Sequence, residues 1–408
     1  MTKQEVWTSS IIGVGGTIFV RFVFGPLCDK FGARALFSLC LCMGAIPTGC
    51  TGLVNSVTGL YVLRLFIGIV GGSFVMCQYW TSSMFTKEVV GTANAVVAGW
   101  GNLGGGVTQL VMGSALFPLF KNYVYDGDAE AAWRIIFVIP AVVSFTIGVA
   151  IYFISDDCPK GNYHELKKHG SMPEVSAASS FRAGALNINT WILFCQYAGC
   201  FGVELTMNNA AASYFKDEFL LTTEEAAAIA SIFGWMNLFA RGLGGYLCDK
   251  GNAIAGMRGR LWAHTFCLAA EGALVFVFAN TGSLGAAIAV MVFFSLFVQA
   301  AEGTSFGIVP YIDPPATGSI SGIVGAGGNV GAVCFGLGFR NLNYRDAFML
   351  MGSCILVSAA MSSIVFIKGQ SGLLCGTADP VPTKTVQTLA VPEPDAEKAD
   401  YDKNEEEA

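Results

Sequence analysis

Six charged residues lie inside long apolar stretches of the sequence, where charges are rare. An ionised side chain in the middle of a membrane helix costs at least about 2.5–3.5 kcal/mol, so it needs a partner or a water-filled cavity. Arginines in such positions can bind anions, and buried carboxyl groups can carry protons. The first candidates for function are therefore Arg21, Arg64, Glu204, Arg241, Glu271 and Glu302.

Two of these arginines belong to an internal repeat. The pattern R-x-x-x-G-x-L-C-D-K begins at Arg21 and again 220 residues later at Arg241. Each arginine precedes the aspartate of its repeat by eight residues, about 12 Å along a helix, which places it near the centre of a bilayer about 30 Å thick. A guanidinium group presents a planar fork of donors that suits a planar oxyanion. The repeat predicts an anion clamp; the alternative is that each arginine pairs with an acid in its own half.

A second repeat joins the glycine-rich stretches around Asn102 and Asn329, which are 227 residues apart. Both asparagines fall near the middle of predicted membrane helices, where their amide groups can donate hydrogen bonds to an anion without adding charge. Glycine at this density usually indicates close helix packing. It also lets the backbone approach a ligand and lets helices slide during gating. The glycines that we assign to this gating signature are Gly99, Gly101, Gly104, Gly325, Gly327 and Gly331.

The carboxyl groups in the apolar stretches are candidates for proton coupling. Desolvation favours the protonated form of a buried carboxyl group, which lets it take up and release a proton near working pH. Glu302, Glu204 and Glu271 qualify by position, and Glu302 is our first choice. For each of them the alternative is a structural salt bridge to Arg64 or a contact with a helix terminus.

The composition is that of a membrane protein with many spans. Hydrophobic residues make up 53% of the 408 residues and charged residues 13%, about half the share that is usual in soluble proteins. The net charge of -6 resides in residues 369–408, an acidic stretch that is predicted to be disordered. The 13 cysteines show no CxxC pair and no zinc-type spacing. We therefore expect no metal, no cofactor, no nucleic-acid partner and no enzymatic activity.

Eleven apolar stretches are long enough to cross a bilayer as helices. The longest polar interruption, 156–188, separates an N-terminal bundle of five spans (1–155) from a C-terminal bundle of six (189–368), and the acidic tail follows from 369 to 408. Lysine and arginine are more frequent on the side of this interruption, which predicts that the interruption and the tail are cytoplasmic. The predicted spans lie near 6–28, 35–54, 58–82, 91–118, 134–154, 190–214, 226–247, 260–279, 284–307, 316–339 and 346–367.

The loop after the first predicted span, GPLCDKFGAR, resembles the G-x-x-x-D-[KR]-x-G-x-R signature of the major facilitator superfamily. The resemblance implies an all-α polytopic membrane protein with two pseudo-symmetric helix bundles, in which about 11 of 12 expected helices are present and the first is missing. Arg64 and the glycines that follow it resemble the fourth-helix motif that this superfamily uses in proton coupling. The loop signature falls on Gly25, Asp29, Lys30, Gly32 and Arg34.

Four further motifs resemble the nitrate/nitrite porter family of this superfamily, in its eukaryotic high-affinity form. AGWGNLGGGVTQ (98–109) and GAGGNVGAV (325–333) are similar to the two nitrate signatures. FGVELTMNNAAASYF (201–215) and QAAEGTSFGIVPYI (299–312) are similar to the seventh and tenth helices. The substrate-binding residues that the resemblance implies are Arg21, Arg241, Asn102, Asn329, Tyr197 and Phe201.

The same resemblance implies a transport function. The substrate would be nitrate, and with it nitrite, carried with protons across the plasma membrane while the two halves rock around a central site. The lipid bilayer is the surrounding medium, and an accessory membrane subunit is among the partners that the family allows. Two alternatives stay open: a facilitator for another small anion or an organic solute, and a non-transporting nitrate sensor or incomplete fragment.

Overall fold

The computed structural model describes residues 3–169 and 176–376 of the chain. These residues form helices joined by turns, without a β-strand among them. Residues 377–408 of the predicted tail and residues 170–175 of the predicted central loop lie outside the described residues. The described part thus has the all-α architecture that the sequence predicts.

The N-terminal half is a bundle that ends at the predicted central loop. A 3-10 turn, Cys50–Leu53, ends its second helix, and two π-helical stretches, Gln109–Leu116 and Phe120–Val124, flank the short sixth helix. The helices of this half are α1 (Lys3–Phe31), α2 (Ala33–Gly49), α3 (Val57–Val70), α4 (Ser73–Met84), α5 (Val90–Thr108), α6 (Phe117–Leu119), α7 (Ala129–Ile136) and α8 (Val138–Ile154).

The central loop carries two short helices, and the C-terminal half follows. Most of the large buried side chains of the described residues belong to this second half. The helices from the loop onward are α9 (Tyr163–Lys168), α10 (Ala177–Leu186), α11 (Ile188–Phe219), α12 (Thr223–Trp235), α13 (Ala240–Ala279), α14 (Leu284–Ile312), α15 (Thr317–Asn341) and α16 (Tyr344–Ala360).

Each of the eleven predicted spans falls on a helical segment. Eight segments of the described residues are long and apolar enough to cross a membrane. One of them, Glu225–Ala279, contains two predicted spans, because the backbone leaves helical geometry at Ala255 and at Gly256, where φ is +59°. The number of eleven spans stays a prediction.

Two of the helix crossings between the halves are equivalent in the repeat: α1 packs on α15, and α5 packs on α13. Both crossings need glycine, because a Cβ at Gly25 would collide with the carbonyl oxygen of Gly318, and one at Gly245 with that of Gly91. Gly91 and Gly318 are 227 residues apart, the offset of the second internal repeat. The crossings are therefore equivalent structures built by the duplicated sequence.

Asp29 of the loop signature caps α15, a helix of the opposite half. Its carboxylate accepts hydrogen bonds from the backbone N–H groups of Gly318 (2.8 Å) and Ser319 (2.9 Å) and from the hydroxyl groups of Ser319 (3.1 Å) and Ser180. A carboxylate at a helix N-terminus satisfies unpaired N–H groups and complements the helix dipole. Asp29 thereby ties the two halves together at one end of the bundle.

Asp249, the repeat equivalent of Asp29, caps α5 in the same way. It accepts hydrogen bonds from the backbone N–H groups of Gly91 (3.2 Å) and Thr92 (2.6 Å) and from the Thr92 hydroxyl group (2.6 Å). It also forms an ion pair with Arg260 at 2.7 Å. Because the two aspartates occupy equivalent points of the repeat, they close the same end of the bundle, which we name the capped end.

The remaining signature residues hold the central loop on the N-terminal half. Gly32 has a φ of +82°, and a Cβ there would collide with the carboxylate of Asp157. That carboxylate accepts hydrogen bonds from the backbone N–H groups of Arg34 (2.9 Å) and Tyr163 (3.1 Å), while burial raises its pKa. The carbonyl oxygen of Lys30 accepts a hydrogen bond from Lys167.

Replacing Asp29 with alanine should loosen the capped end. The change removes four hydrogen bonds and a favourable charge at a helix N-terminus, a loss of about 1–2 kcal/mol. Thiol labelling of the buried neighbour Cys28, mapped by mass spectrometry, should increase.

The matched control is Asp128→Ala. Asp128 also caps a helix, α7, through two backbone N–H groups, but both belong to its own half. We expect this variant to leave Cys28 labelling unchanged, and equal labelling in both variants would contradict the role of Asp29 as a tie between halves.

Candidate functional site

Arg21 lies on α1 with 4% of its surface exposed. Its Nε donates a hydrogen bond to the carbonyl oxygen of Gly71 (3.3 Å), and a terminal nitrogen donates to that of Gly325. No carboxylate of the described residues lies within ion-pair distance of it. Among the described residues its positive charge therefore meets backbone carbonyl groups and aromatic rings, and no negative charge.

Arg241, the repeat equivalent, is fully buried on α13 and has a different set of partners. One terminal nitrogen forms an ion pair with Glu302 of α14, and the other donates to the Tyr197 hydroxyl oxygen at 2.8 Å. The Arg241 Nε and the second oxygen of Glu302 have no hydrogen-bond partner in the described residues. Arg241 thus pairs with an acid of its own half, as the alternative interpretation predicted, whereas Arg21 has no such partner among the described residues.

Phe74 of α4 lies within cation–π distance of both arginines. The Cζ atom of Arg21 is 4.7 Å from the centre of this ring, and that of Arg241 is 5.8 Å from it. Arginine over an aromatic face gains a cation–π interaction, which is strongest where water is excluded. The two predicted clamp residues are therefore brought together around one ring, which the sequence analysis did not single out.

Three more rings complete an aromatic cluster around the arginines. Tyr197 and Phe201 are stacked at 5.3 Å, and Phe74 stacks on each of them at 6.1 Å. Phe306 meets Phe74 and Tyr197 edge-on at 5.2 and 5.1 Å. Tyr197 and Phe201 were predicted, whereas Phe306 was missed although it stands in the QAAEGTSF motif. We name these four rings the aromatic cluster.

A second acid, Glu204 of α11, lies beside this cluster. It accepts hydrogen bonds from the amide groups of Asn237 (2.8 Å) and Asn102 (3.3 and 3.4 Å). Its carboxylate is also close enough to interact with that of Glu302. The predicted substrate asparagine Asn102 therefore binds an acid in this structure.

Asn329 differs from its repeat equivalent Asn102. It is buried on α15 with 4% of its surface exposed, and its amide nitrogen has no hydrogen-bond partner in the described residues. It lies one helical turn after Gly325, whose carbonyl oxygen binds Arg21. Asn329 is thus a buried donor available to a ligand at the Arg21 side of the cluster.

The predicted signature glycines fall into two groups. A Cβ at Gly99 would press on Arg241, one at Gly325 would touch Arg21 and Phe74, and those at Gly327 and Gly331 would collide with the backbone of α11. At Gly101 and Gly104 no heavy atom of the described residues lies within 4 Å of the Cβ position. The packing interpretation therefore holds for Gly99, Gly327 and Gly331, while a Cβ would fit at Gly325 and would meet no described residue at Gly101 or Gly104.

Arg64 lies outside this site. It is exposed on α3, and it forms no ion pair with a described residue. None of the three predicted carboxylates pairs with it, which removes the alternative of a structural salt bridge to Arg64. Among the described residues, no group of three or more His, Cys, Asp or Glu side chains could hold a metal ion.

The sequence is similar to known transporters over almost its whole length. Residues 6–336 match the family model of the Major Facilitator Superfamily. The chain is 38% identical to the high affinity nitrate transporter 2.5 of Arabidopsis thaliana, over 96% of this chain and 78% of that protein. It is 37% identical to the high-affinity nitrate transporter 2.3 of Oryza sativa subsp. japonica, over 92% of this chain and 73% of that protein. The nitrate/nitrite transporter NrtP of Nostoc punctiforme is 26% identical, over 91% of this chain and 86% of that protein.

Solved structures of the same superfamily share the fold. The human organic anion transporter MFSD10 superposes with a TM-score of 0.64 at 12% identity, over 88% of this chain and 85% of that one. The proton:xylose symporter XylE gives a TM-score of 0.63 at 14% identity, over 88% of this chain and 86% of that one.

Proteins of this superfamily are transporters, which confirms the predictions of fold class and of a non-enzymatic function. The similarity to nitrate transporters is high enough, and covers enough of both chains, to place the protein more narrowly. The chain belongs to the Major Facilitator Superfamily and, within it, to the nitrate/nitrite porter family.

Proposed function

We propose that the protein transports nitrate, and with it nitrite, and that Arg21 is the primary anion-binding residue. The observation that carries the proposal is a buried guanidinium group without a carboxylate partner in the described residues, next to a second arginine. A small anion would supply the missing negative charge. The relatives named as nitrate and nitrate/nitrite transporters support this choice of anion.

The site chemistry suits a planar oxyanion. Arg21 and Arg241 can each present two N–H groups in one plane to a pair of nitrate oxygens. Asn329 adds an amide donor that is unpaired in this structure. The rings of Phe74, Tyr197 and Phe201 stack on one another and offer flat faces against which a planar ion could lie.

Coupling to protons follows from the ion pair of Arg241. While Glu302 is ionised, it occupies the guanidinium group that the second half contributes to the site. Protonation of Glu302 would release Arg241 for the anion, so proton binding and nitrate binding favour each other. Such mutual favouring is the thermodynamic requirement for symport.

We further propose that the capped end faces the cytoplasm and that the protein acts in the plasma membrane, with the acidic tail inside. Two aspartate caps hold the halves together at this end. Alternating access would require both caps to open while the halves, 1–155 and 189–368, rock around the arginines. The organisation as two rocking bundles agrees with the duplicated crossings.

Lysine in place of Arg21 should weaken nitrate binding. The change keeps the charge and removes the planar fork, which should cost about 1.5–3 kcal/mol, or roughly a tenfold to hundredfold loss of affinity. Alanine at Arg21 or Arg241 should have a larger effect. Nitrate binding to the purified protein and uptake into liposomes would measure both.

Arg134→Lys is the matched control for Arg21. Arg134 also donates to two backbone carbonyl groups, those of Gly52 and Val54, but it lies away from the aromatic cluster. Its variant should bind nitrate normally. Normal nitrate affinity in both Arg21→Ala and Arg241→Ala would rule out the clamp.

Glutamine in place of Glu302 should make nitrate binding insensitive to pH. The neutral amide imitates the protonated acid, so the affinity of the variant at alkaline pH should match that of the wild type at acidic pH. The control is Glu130→Gln, which breaks an exposed ion pair with Arg134. An unchanged pH dependence in Glu302→Gln would show that this pair does not couple the two ions.

Nitrate should evoke an inward positive current. Moving one negative charge into a negative interior costs about 2.3 kcal/mol per 100 mV, so accumulation needs a driving ion. One proton per nitrate gives no net charge movement, and at least two give an inward positive current. Voltage-clamp recording would measure the current, and an outward current or none would contradict this stoichiometry. Competition by nitrite and chlorate, but not by organic anions, would separate nitrate from other substrates.

A further inference from the structure

The interior of the C-terminal half contains a polar stripe on α13. Arg260, His264, Cys267 and Glu271 follow one another at intervals of four, three and four residues, so they share one face of the helix. All four are buried, within a span that is otherwise largely apolar. The function proposed above uses none of them beyond the ion pair of Arg260 with Asp249.

Glu271 is the least satisfied member of this stripe. It is fully buried, and neither of its carboxyl oxygens has a hydrogen-bond partner in the described residues. No cation of those residues lies within ion-pair distance of it. A buried carboxyl group without partners is stable only in its neutral form, because ionisation would leave a bare charge in an apolar medium.

The surroundings of Glu271 connect it to the substrate site. The titratable groups that interact with it are Cys200 of α11, Cys267 of α13 and Glu302 of α14. The remaining helix that packs on this part of α13 is α16. Its residues next to Gly272 are Gly352 and Leu356, neither of which has a titratable side chain. The one charged neighbour of Glu271 among the described residues is therefore the carboxylate that pairs with Arg241.

We propose that Glu271 is a second proton-binding residue of the transport cycle, loaded together with Glu302. This inference rests on the proposed proton-coupled function. It identifies the residue that would carry the second of the two protons per nitrate. One proton on Glu302 would release Arg241 and balance the nitrate charge, which leaves the cycle electrically silent. A second proton that crosses on Glu271 gives the net positive charge that a negative interior can draw inward.

His264 marks a route for this proton towards the capped end. It lies two helical turns from Glu271, about 10.5 Å along the axis, on the side of Arg260. Its Nδ1 is 2.8 Å from the Thr304 hydroxyl group, and its Nε2 has no partner in the described residues. On release, the O–H bond of Glu271 breaks and the proton passes to water that enters from the capped end. The same water solvates the Glu271 carboxylate until the group takes up another proton.

The experiment measures the ratio of protons to nitrate in liposomes that contain the purified full chain. A fixed nitrate gradient is imposed, and the membrane potential is varied until the net nitrate flux is zero. This reversal potential gives the ratio. Glu271→Gln should lower it from about two protons per nitrate to about one, and nitrate uptake should then no longer respond to the potential. Nitrate–nitrite exchange, which needs no net proton movement, should remain and shows that the variant is folded.

Two other variants complete the design. Glu271→Asp keeps an ionisable group and should retain a ratio of about two with a shifted pH dependence of uptake. Glu130→Gln, at an exposed acid, should behave as wild type. If the glutamine variant does not reach the liposomes, the aspartate variant decides, and an unchanged pH dependence in it overturns the proposal.

The outcomes separate this proposal from the proposed function. A ratio of about two in both wild type and Glu271→Gln overturns the role of Glu271 and leaves proton-coupled nitrate transport intact. A ratio of about one in the wild type overturns the second proton alone. Absence of nitrate transport by the wild type overturns the proposed function itself.

Discussion

The ion pair between Arg241 and Glu302 organises the charge of the whole site. The Cζ atoms of two buried guanidinium groups lie 4.7 and 5.8 Å from the centre of the Phe74 ring, and this pair balances only one of the two charges. Removing one partner of a buried ion pair leaves an uncompensated charge in a medium of low dielectric constant. We propose that the charge of Arg21 is left for a ligand and that the charge of Arg241 becomes available when Glu302 is neutral. In the proposed mechanism, affinity for an anion and response to protons thus depend on the same three side chains.

The duplicated sequence positions these side chains through its helix crossings. Gly25 and Gly245 let α1 and α13 approach the opposite halves closely, and the aspartates one turn later cap α15 and α5. Because the backbones are in contact at these crossings, the helices that carry the two arginines are held close to the opposite half. Hydrogen bonds to helix N-termini can form and break at modest cost, so the proposed opening of the capped end would need only these contacts to break.

The two repeats predict that Arg21 and Arg241, and likewise Asn102 and Asn329, are equivalent, because equivalent sequence positions occupy equivalent places in a duplicated fold. They could not predict the differences between the halves. Arg21 and Arg241 have different partners, and Asn102 binds Glu204 while Asn329 has an unpaired amide nitrogen. Such pairings depend on side chains that the repeats do not share. Phe74 and Phe306 were missed since an aromatic residue in a membrane span is usually a packing residue, and only its distance from two arginines distinguishes it.

The central claim is that a planar anion replaces the missing partner of Arg21. A structure of the protein with bound nitrate tests it most directly. Nitrate density should lie against the Arg21 guanidinium group, within reach of Arg241 and the Asn329 amide nitrogen, with Arg241 turned away from Glu302. Density at another place, with Arg21 still bound to the carbonyl groups of Gly71 and Gly325 and Arg241 still paired with Glu302, would contradict it.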